Sequence, residues 1–306
     1  GLLYGRGSND MKAGIATNLL VARAVHDLAL PLRGDLIVES VVDEEFGGVN
    51  GTLAGRLRGY LADAAVLSEP SFLRICPAQR GGRTAHITLE VPGEGILSGG
   101  MDGGIAAPLA WFLSQIPVFA ERRRASAPPH FAYTNLANPV PVSVLKIHTG
   151  PWGTQEPMAT ATSCQIELYW QAIPGEPLSD IDAQFHAWLD ETVRARPELF
   201  PIQPSIEFPI RWLPGSGIGH EEALVTTLSN TAARLLGAPP PIAGIEGPCD
   251  MYVFQQHFGM PAVLWGARGS NTHAADEYVE ISSVVAAARV LLAFVCEWCG
   301  VAAVRE

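Results

Sequence analysis

Apolar positions in the first 78 residues follow two alternating spacings. The short aliphatic runs "GLLYG", "DLIVESVV" and "AAVLS" read as strands, while spacings of three and four from about Met11 to Leu28, and again over about 50 to 58, read as helices. Strand alternating with helix is the mark of a parallel sheet covered by helices. The pattern changes at "QRGGR", residues 79 to 83. Beyond it come a strand ("TAHITLEV"), a helix over about 103 to 116, two strands ("PVSVLKIH" and "SCQIELYWQ"), a helix over about 178 to 195, and a strand ("PSIEFPI"). That β-α-β-β-α-β order is the order of a ferredoxin-like unit. The Pro-, Ala- and Arg-rich stretch 117 to 140 reads as an irregular excursion. From about 212 the first pattern resumes, with a helix near 220 to 236, the strand "PAVLWG" and a closing helix. The expected fold class is α/β. A discontinuous domain, 1–78 and 212–306, has helices around a mostly parallel sheet and carries an inserted, smaller α+β domain at 79–211.

Composition narrows the function classes. With 306 residues, 48% of them hydrophobic, the chain can bury a sizeable core. A formal charge of −11 argues against nucleic acid or an anionic membrane as partner, since both select basic faces, and favours a small molecule or peptide. Five scattered cysteines suit a reducing cytoplasm better than a disulfide framework, and Cys296 and Cys299, a lone C-x-x-C in a helical pattern, read as packing. The opening residues carry no signal-peptide pattern. The apolar run near 284 to 299 is interrupted by Arg289 and Glu297 and reads as a core helix.

Candidate chemistry collects at strand ends, where ligands bind in parallel α/β sheets. Asp10 follows "LLYG", Glu44 and Glu45 follow "DLIVESVV", Glu69 follows "AAVLS", and His273 lies in the loop after "AVLWG". Singly, each has an ordinary reading: a helix cap, solvated surface charge, a turn residue, a loop histidine. Together they would repel one another unless a cation stood among them. Mixed carboxylate and histidine ligation suits zinc, with cobalt or manganese as alternatives. One of Glu44 and Glu45 could then ligate while its neighbour acts as general base towards a water that the metal activates.

These tracts resemble a known family, the two-zinc metallohydrolases of the aminoacylase, acetylornithine deacetylase, succinyl-diaminopimelate desuccinylase and carboxypeptidase type. "GRGSNDMKAG" is similar to the family's bridging-aspartate motif, "DEEFGGVNGT" to its base-plus-ligand motif, "SEPS" to its third acidic site and "NTHAADE" to its late histidine motif, with "IPGE" and "GPCDMYVF" as weaker landmarks. The resemblance implies that Asp10 bridges two zinc ions, that Glu45 and His273 complete one site, that Glu69 belongs to the other, and that Glu44 is the general base. It implies hydrolysis of the amide of an N-acyl amino acid or small peptide, and a homodimer formed through the inserted lid domain. Asp43 and Asp250 are expected to orient neighbours, Glu277 to stand behind His273, and Arg268 to contact an anionic part of the substrate.

The pattern also departs from the family. Its members usually carry a His-x-Asp motif some tens of residues before the bridging aspartate, so a segment upstream of Gly1 carrying the remaining ligand is expected. Leu97 stands where the lid commonly has a histidine, and Gln171 where it usually has an arginine, which weakens recognition of a substrate carboxylate. His148 and His86 are candidate substitutes for the histidine. Two other readings follow: a catalytically impaired relative that binds a small ligand or partner in the same cleft, and a single-metal hydrolase using Asp10, Glu45 and His273. "GSGIG" at 215 to 219 lacks the ending of a phosphate loop, "HEE" at 220 to 222 is not H-E-x-x-H, and no G-x-S-x-G elbow offers a serine nucleophile.

Overall fold

The computed structural model describes residues 1–93, 104–150 and 160–302. The chain forms two compact units, one from Gly1–Gln79, Phe131–Tyr133 and Ser216–Glu306, the other from Arg80–His130 and Thr134–Gly215. In chain order the first unit begins with β1 (Leu2–Tyr4), α1 (Ala13–Asp27), α2 (Ala54–Leu57), β2 (Ala65–Leu67) and β3 (Ala78–Gln79). The second unit holds β4 (Gly81–Glu90), α3 (Ala106–Ser126), β5 (Val142–His148), β6 (Ser163–Ala172), α4 (Leu178–Ala195) and β7 (Ser205–Glu207). The first unit then resumes with β8 (Ser216–Gly217), α5 (Ala223–Leu236), β9 (Ala262–Leu264), β10 (Gly269–Ser270), β11 (Tyr278–Glu280) and α6 (Ile281–Cys299).

The second unit is an antiparallel sheet in the order β5-β6-β4-β7. Period-two patterning builds its inner face: Ala85, Ile87 and Leu89 of β4 and Cys164, Ile166, Leu168 and Trp170 of β6 are all buried. Helical spacing supplies the other layer, with Phe112, Ile116 and Phe119 from α3 and Ile181, Phe185 and Trp188 from α4. The rings interlock, Phe119 stacking on Trp188 at 4.9 Å and Trp170 on Phe185 at 4.8 Å between centroids. α3 runs through Pro117 to Ser126, into the stretch expected to be irregular. An interior proline costs a helix roughly 3 kcal/mol, and the buried stripe that continues through Phe119 and Arg123 outweighs it. Arg123, fully buried, donates to both Glu176 oxygens at 2.9 and 3.0 Å, and Glu176 also accepts the Ile173 N–H at 2.9 Å. The glutamate of "IPGE" thus closes a buried ion pair.

Gln171 is buried, its Oε1 accepting from Arg80 Nη1 at 2.6 Å and its Nε2 donating to the Tyr169 hydroxyl at 3.1 Å. An arginine immediately before β4 therefore lies beside the position where the resemblance implied one. His86 Nε2 is 3.0 Å from Glu167, which also accepts from Lys146 Nζ at 3.1 Å, and His148 is exposed at the end of β5. Leu97 lies outside the described residues.

In the first unit β1, β11 and β10 form an antiparallel ribbon in the order β1-β11-β10, β2 pairs with β9 in parallel, and β3 pairs with β8. Val21 of α1, Leu228 of α5, Val263 of β9 and Val290 and Phe294 of α6 share one core with Trp265, whose Nε1 donates to the Ala287 carbonyl at 3.1 Å. α6 packs one face in this core through Ala287, Val290, Leu291, Phe294 and Val295, while its Ile281 and Val285 are exposed. The expected mostly parallel sheet is smaller than the sequence suggests: parallel pairing among the described residues is β2 with β9 and the bridges Ile75–Ile242 and Gln79–Ile245. "DLIVESVV" runs without a ladder, and Ile37, Val38, Val41 and Val42 are exposed. β-branched residues become a strand only where a neighbouring strand takes their backbone N–H and C=O groups, and no described residue does so here. The boundary falls after Gln79, which is held in the first unit by its pairing with Ser216 and by the Tyr252 N–H donating to its Oε1 at 3.1 Å.

Candidate active site

Strand pairing brings distant tracts together. β1 aligns Leu3 with Val279 of β11, and β10 and β11 form a hairpin that aligns Ser270 with Tyr278. Asp10, just after β1, thereby meets His273, in the hairpin loop. That loop turns through left-handed backbone at Asn271, His273 and Asp276, and is closed by Asn271 Nδ2 donating to the Asp276 carbonyl at 3.1 Å. Glu69 follows β2. It reaches Asp10 because two glycines leave room for its backbone: a Cβ at Gly14 in α1 would lie 2.1 Å from the Ser68 carbonyl oxygen, and one at Gly266 would lie 2.0 Å from that of Glu69. Glu44 and Glu45 sit on one 3-10 turn, Glu44–Phe46. Asp43 sets that turn, its carbonyl accepting the Phe46 and Gly48 N–H groups at 3.2 and 2.8 Å and its side chain accepting the Asn50 N–H at 3.1 Å.

His273 Nε2 lies 2.9 Å from Glu45 Oε1 and 3.3 Å from Asp10 Oδ2. Donor atoms of Asp10, Glu45 and His273 all fall within 4.8 Å of one another. Glu69 is buried and hydrogen-bonded to Asp10. Glu44 is held close to Asp250, which is buried and accepts from the Thr52 hydroxyl at 2.6 Å. A cleft of about 450 Å³ is lined by Glu44, Glu69 and Asp250 together with Ile37 and Trp298.

The electrostatics are those of an excess of negative charge. Burial, then the charges of Asp250, Glu45 and Asp10, push the Glu44 carboxyl up to about 8. Burial and the neighbouring Glu44 and Asp10 push Glu69 well above the usual carboxylate range. Burial and Glu45 raise Asp10, with His273 opposing them. Carboxyls that cannot all ionise alone can do so around a divalent cation, and oxygen and imidazole donors so arranged fit such an ion.

Glu277 stands behind Asp10 rather than behind His273. Its carboxylate accepts the Gly7 N–H at 2.8 Å, the Asn9 and Asp10 N–H groups at 3.0 Å each, and Arg6 Nη1 at 3.2 Å. Burial alone would raise its pKa, and the hydrogen bonds from Asp10, Gly7 and Asn9 together with Arg6 hold it below the usual value instead. Arg268 is exposed, and it is its main chain that is engaged, the N–H donating to Ser283 Oγ at 2.8 Å; no contact among the described residues draws its side chain into the acidic cluster. Three contributors were not singled out from the sequence: Thr52 on Asp250, Gly14, and Asn9, whose Nδ2 donates to Thr272 Oγ1 at 2.9 Å. Each lies within or beside a motif tract, the one signal that pointed to them.

Comparison with known proteins agrees with this picture. An N-formyl-4-amino-5-aminomethyl-2-methylpyrimidine deformylase of Halalkalibacterium halodurans is 28% identical over 317 residues, covering 98% of this chain and 72% of that protein. The Bacillus subtilis protein of the same name is 26% identical over 337 residues, with the same coverage of 98% and 72%. Among solved structures, the di-peptidase Dug1p of Saccharomyces cerevisiae superposes with a TM-score of 0.76 at 15% identity, over 98% of this chain and 73% of that one. The profile of peptidase family M20/M25/M40 matches residues 1–297, and the chain belongs to that family of amide-bond hydrolases.

Proposed function

We propose that this chain is a metal-dependent amidohydrolase cleaving the amide of a small N-acyl substrate: an N-formyl or N-acyl amine, an N-acyl amino acid or a dipeptide. The convergence of Asp10, Glu45 and His273 within 4.8 Å, with Glu44 alongside, carries the reading. Asp10, Glu45 and His273 would hold one zinc, with cobalt or manganese as alternatives, and Asp10 and Glu69 would contribute to a second. A divalent metal there supplies polarisation of the amide carbonyl and a water of lowered pKa. Glu44 takes the proton of the attacking water and passes it to the leaving nitrogen, the general-base role open to a carboxylate beside the metal-holding cluster. Asp250, fixed by Thr52, keeps Glu44 basic, and Asp43 holds the turn that aims Glu44 and Glu45. The names of the two bacterial relatives favour a formyl group among the acyl groups.

The test is a panel of N-formyl amines, N-acetyl amino acids and dipeptides, incubated with and without zinc and a chelator. Turnover abolished by chelator and restored by zinc supports the reading; saturable binding with no turnover favours the impaired relative instead. Homodimerisation through the second unit belongs to the same proposal. It is supported by β5, an edge strand with Leu145 and Ile147 exposed, and is checked by sedimentation. A cytoplasmic setting is supported by the five free cysteines.

A further inference from the structure

We propose that Glu277 is a positioning residue that sets the metal-holding geometry of Asp10 against His273. The inference rests on the metal reading above and concerns a different atom set. Asp10 lies between β1 and α1 with non-helical backbone, φ −115° and ψ 99°, so no helical hydrogen-bond ladder fixes it. Glu277 takes that role. Besides the four donors on its carboxylate, its carbonyl accepts the Gly5 N–H at 2.9 Å and the Ser8 hydroxyl at 3.4 Å. Residues from Gly5 to Asp10 therefore hang on one side chain and one carbonyl of the hairpin that carries His273.

The arrangement depends on charge as well as shape. Glu277 is 2% exposed, and its two oxygens meet donors only. A carboxylate can accept from all of them, whereas an amide of the same shape turns an NH₂ towards N–H groups. Asn9 adds a second tie, through Thr272, next to His273 itself. Outer partners that orient ligands in this way typically change metal affinity by about 10- to 100-fold when removed.

Zinc titration of the full chain against a chromophoric competing chelator, with the thermal midpoint measured in parallel, tests the assignment. Glu277→Gln is expected to weaken zinc binding by about 10- to 100-fold. Val279→Ala, a core truncation on β11 that touches none of these donors, is expected to lower the midpoint and leave zinc affinity unchanged. Should Glu277→Gln not fold, Glu277→Asp, which keeps the charge but shortens the reach, is expected to fold and bind zinc more weakly than the parent. Parental affinity in the Glu277 variant that folds, or an equal loss of affinity in Val279→Ala, overturns the positioning role while leaving the metal reading intact. A parent chain that binds no zinc overturns both.

Discussion

The carbonyl oxygen of Ser68 fills the space that a side chain at Gly14 would take, 2.1 Å from where its Cβ would stand. In an open helix, Gly→Ala gains about 0.5–1 kcal/mol. Here the sign reverses. Gly14→Ala is expected to cost about 1–3 kcal/mol by overpacking and to part Asp10 from Glu69, read as a lower denaturation midpoint together with weaker zinc binding.

Removal of single ligands separates the metal reading from its rivals. Asp10→Ala is expected to abolish bound zinc, since Asp10 would serve both ions, whereas Glu69→Ala is expected to leave one equivalent on Asp10, Glu45 and His273. Metal analysis after exhaustive dialysis distinguishes the two variants.

Glu44→Gln is expected to reduce turnover by roughly 10²- to 10⁴-fold with zinc retained. In the metal-free protein the same substitution is expected to raise stability at neutral pH. The folded-state pKa of about 8 lies above the usual 4.5, so ionisation of this buried carboxyl opposes folding as pH rises. Thermal melts of metal-free parent and variant from pH 4 to 9 should coincide at the acid end and diverge above it.

What the sequence disclosed depended on whether a signal was local. Ala85, Ile87 and Leu89 declare a half-buried strand by alternation, and Phe112 and Ile116 a helix by spacing, because each pattern is complete within one element. Asp10 and Glu69 stood out because each follows a strand, β1 and β2, whereas Glu44 and Glu45 follow a tract that forms none. Strand formation by Ile37 to Val42 was misread because it depends on a neighbour that no local pattern reports, and the helix through Pro117 because its packing partners lie on α4. The partner of Glu277 was hidden too: four residues from His273 in sequence, it serves the other end of the chain.

In the second unit, Arg123→Ala is expected to destabilise by about 3–5 kcal/mol, because it strands the Glu176 carboxylate in the interior. The pair replacement Arg123→Met with Glu176→Gln should recover most of that loss. Urea unfolding followed by tryptophan fluorescence checks both.

Glu277 also predicts part of the acid limb of stability. Its folded-state pKa is depressed, so its contribution is complete above the unfolded value near 4.5 and is lost as pH falls through the folded value. Glu277→Gln should flatten the decline of the melting midpoint below pH 4.5; an unchanged slope would count against the hydrogen bonds described.

The pairing of β1 with β11 has a consequence for synthesis on the ribosome. Asp10 and its loop are translated well before the strand that receives β1, the histidine opposite and the carboxylate that gathers the loop, Glu277 following Asp10 by 267 residues. Long-range closure of this kind is slow, and partners held apart in time leave the early segment exposed. Joining of Asp10 to His273 therefore waits for the tract that carries β11, and nascent chains arrested before Glu277 are expected to lack the arrangement described.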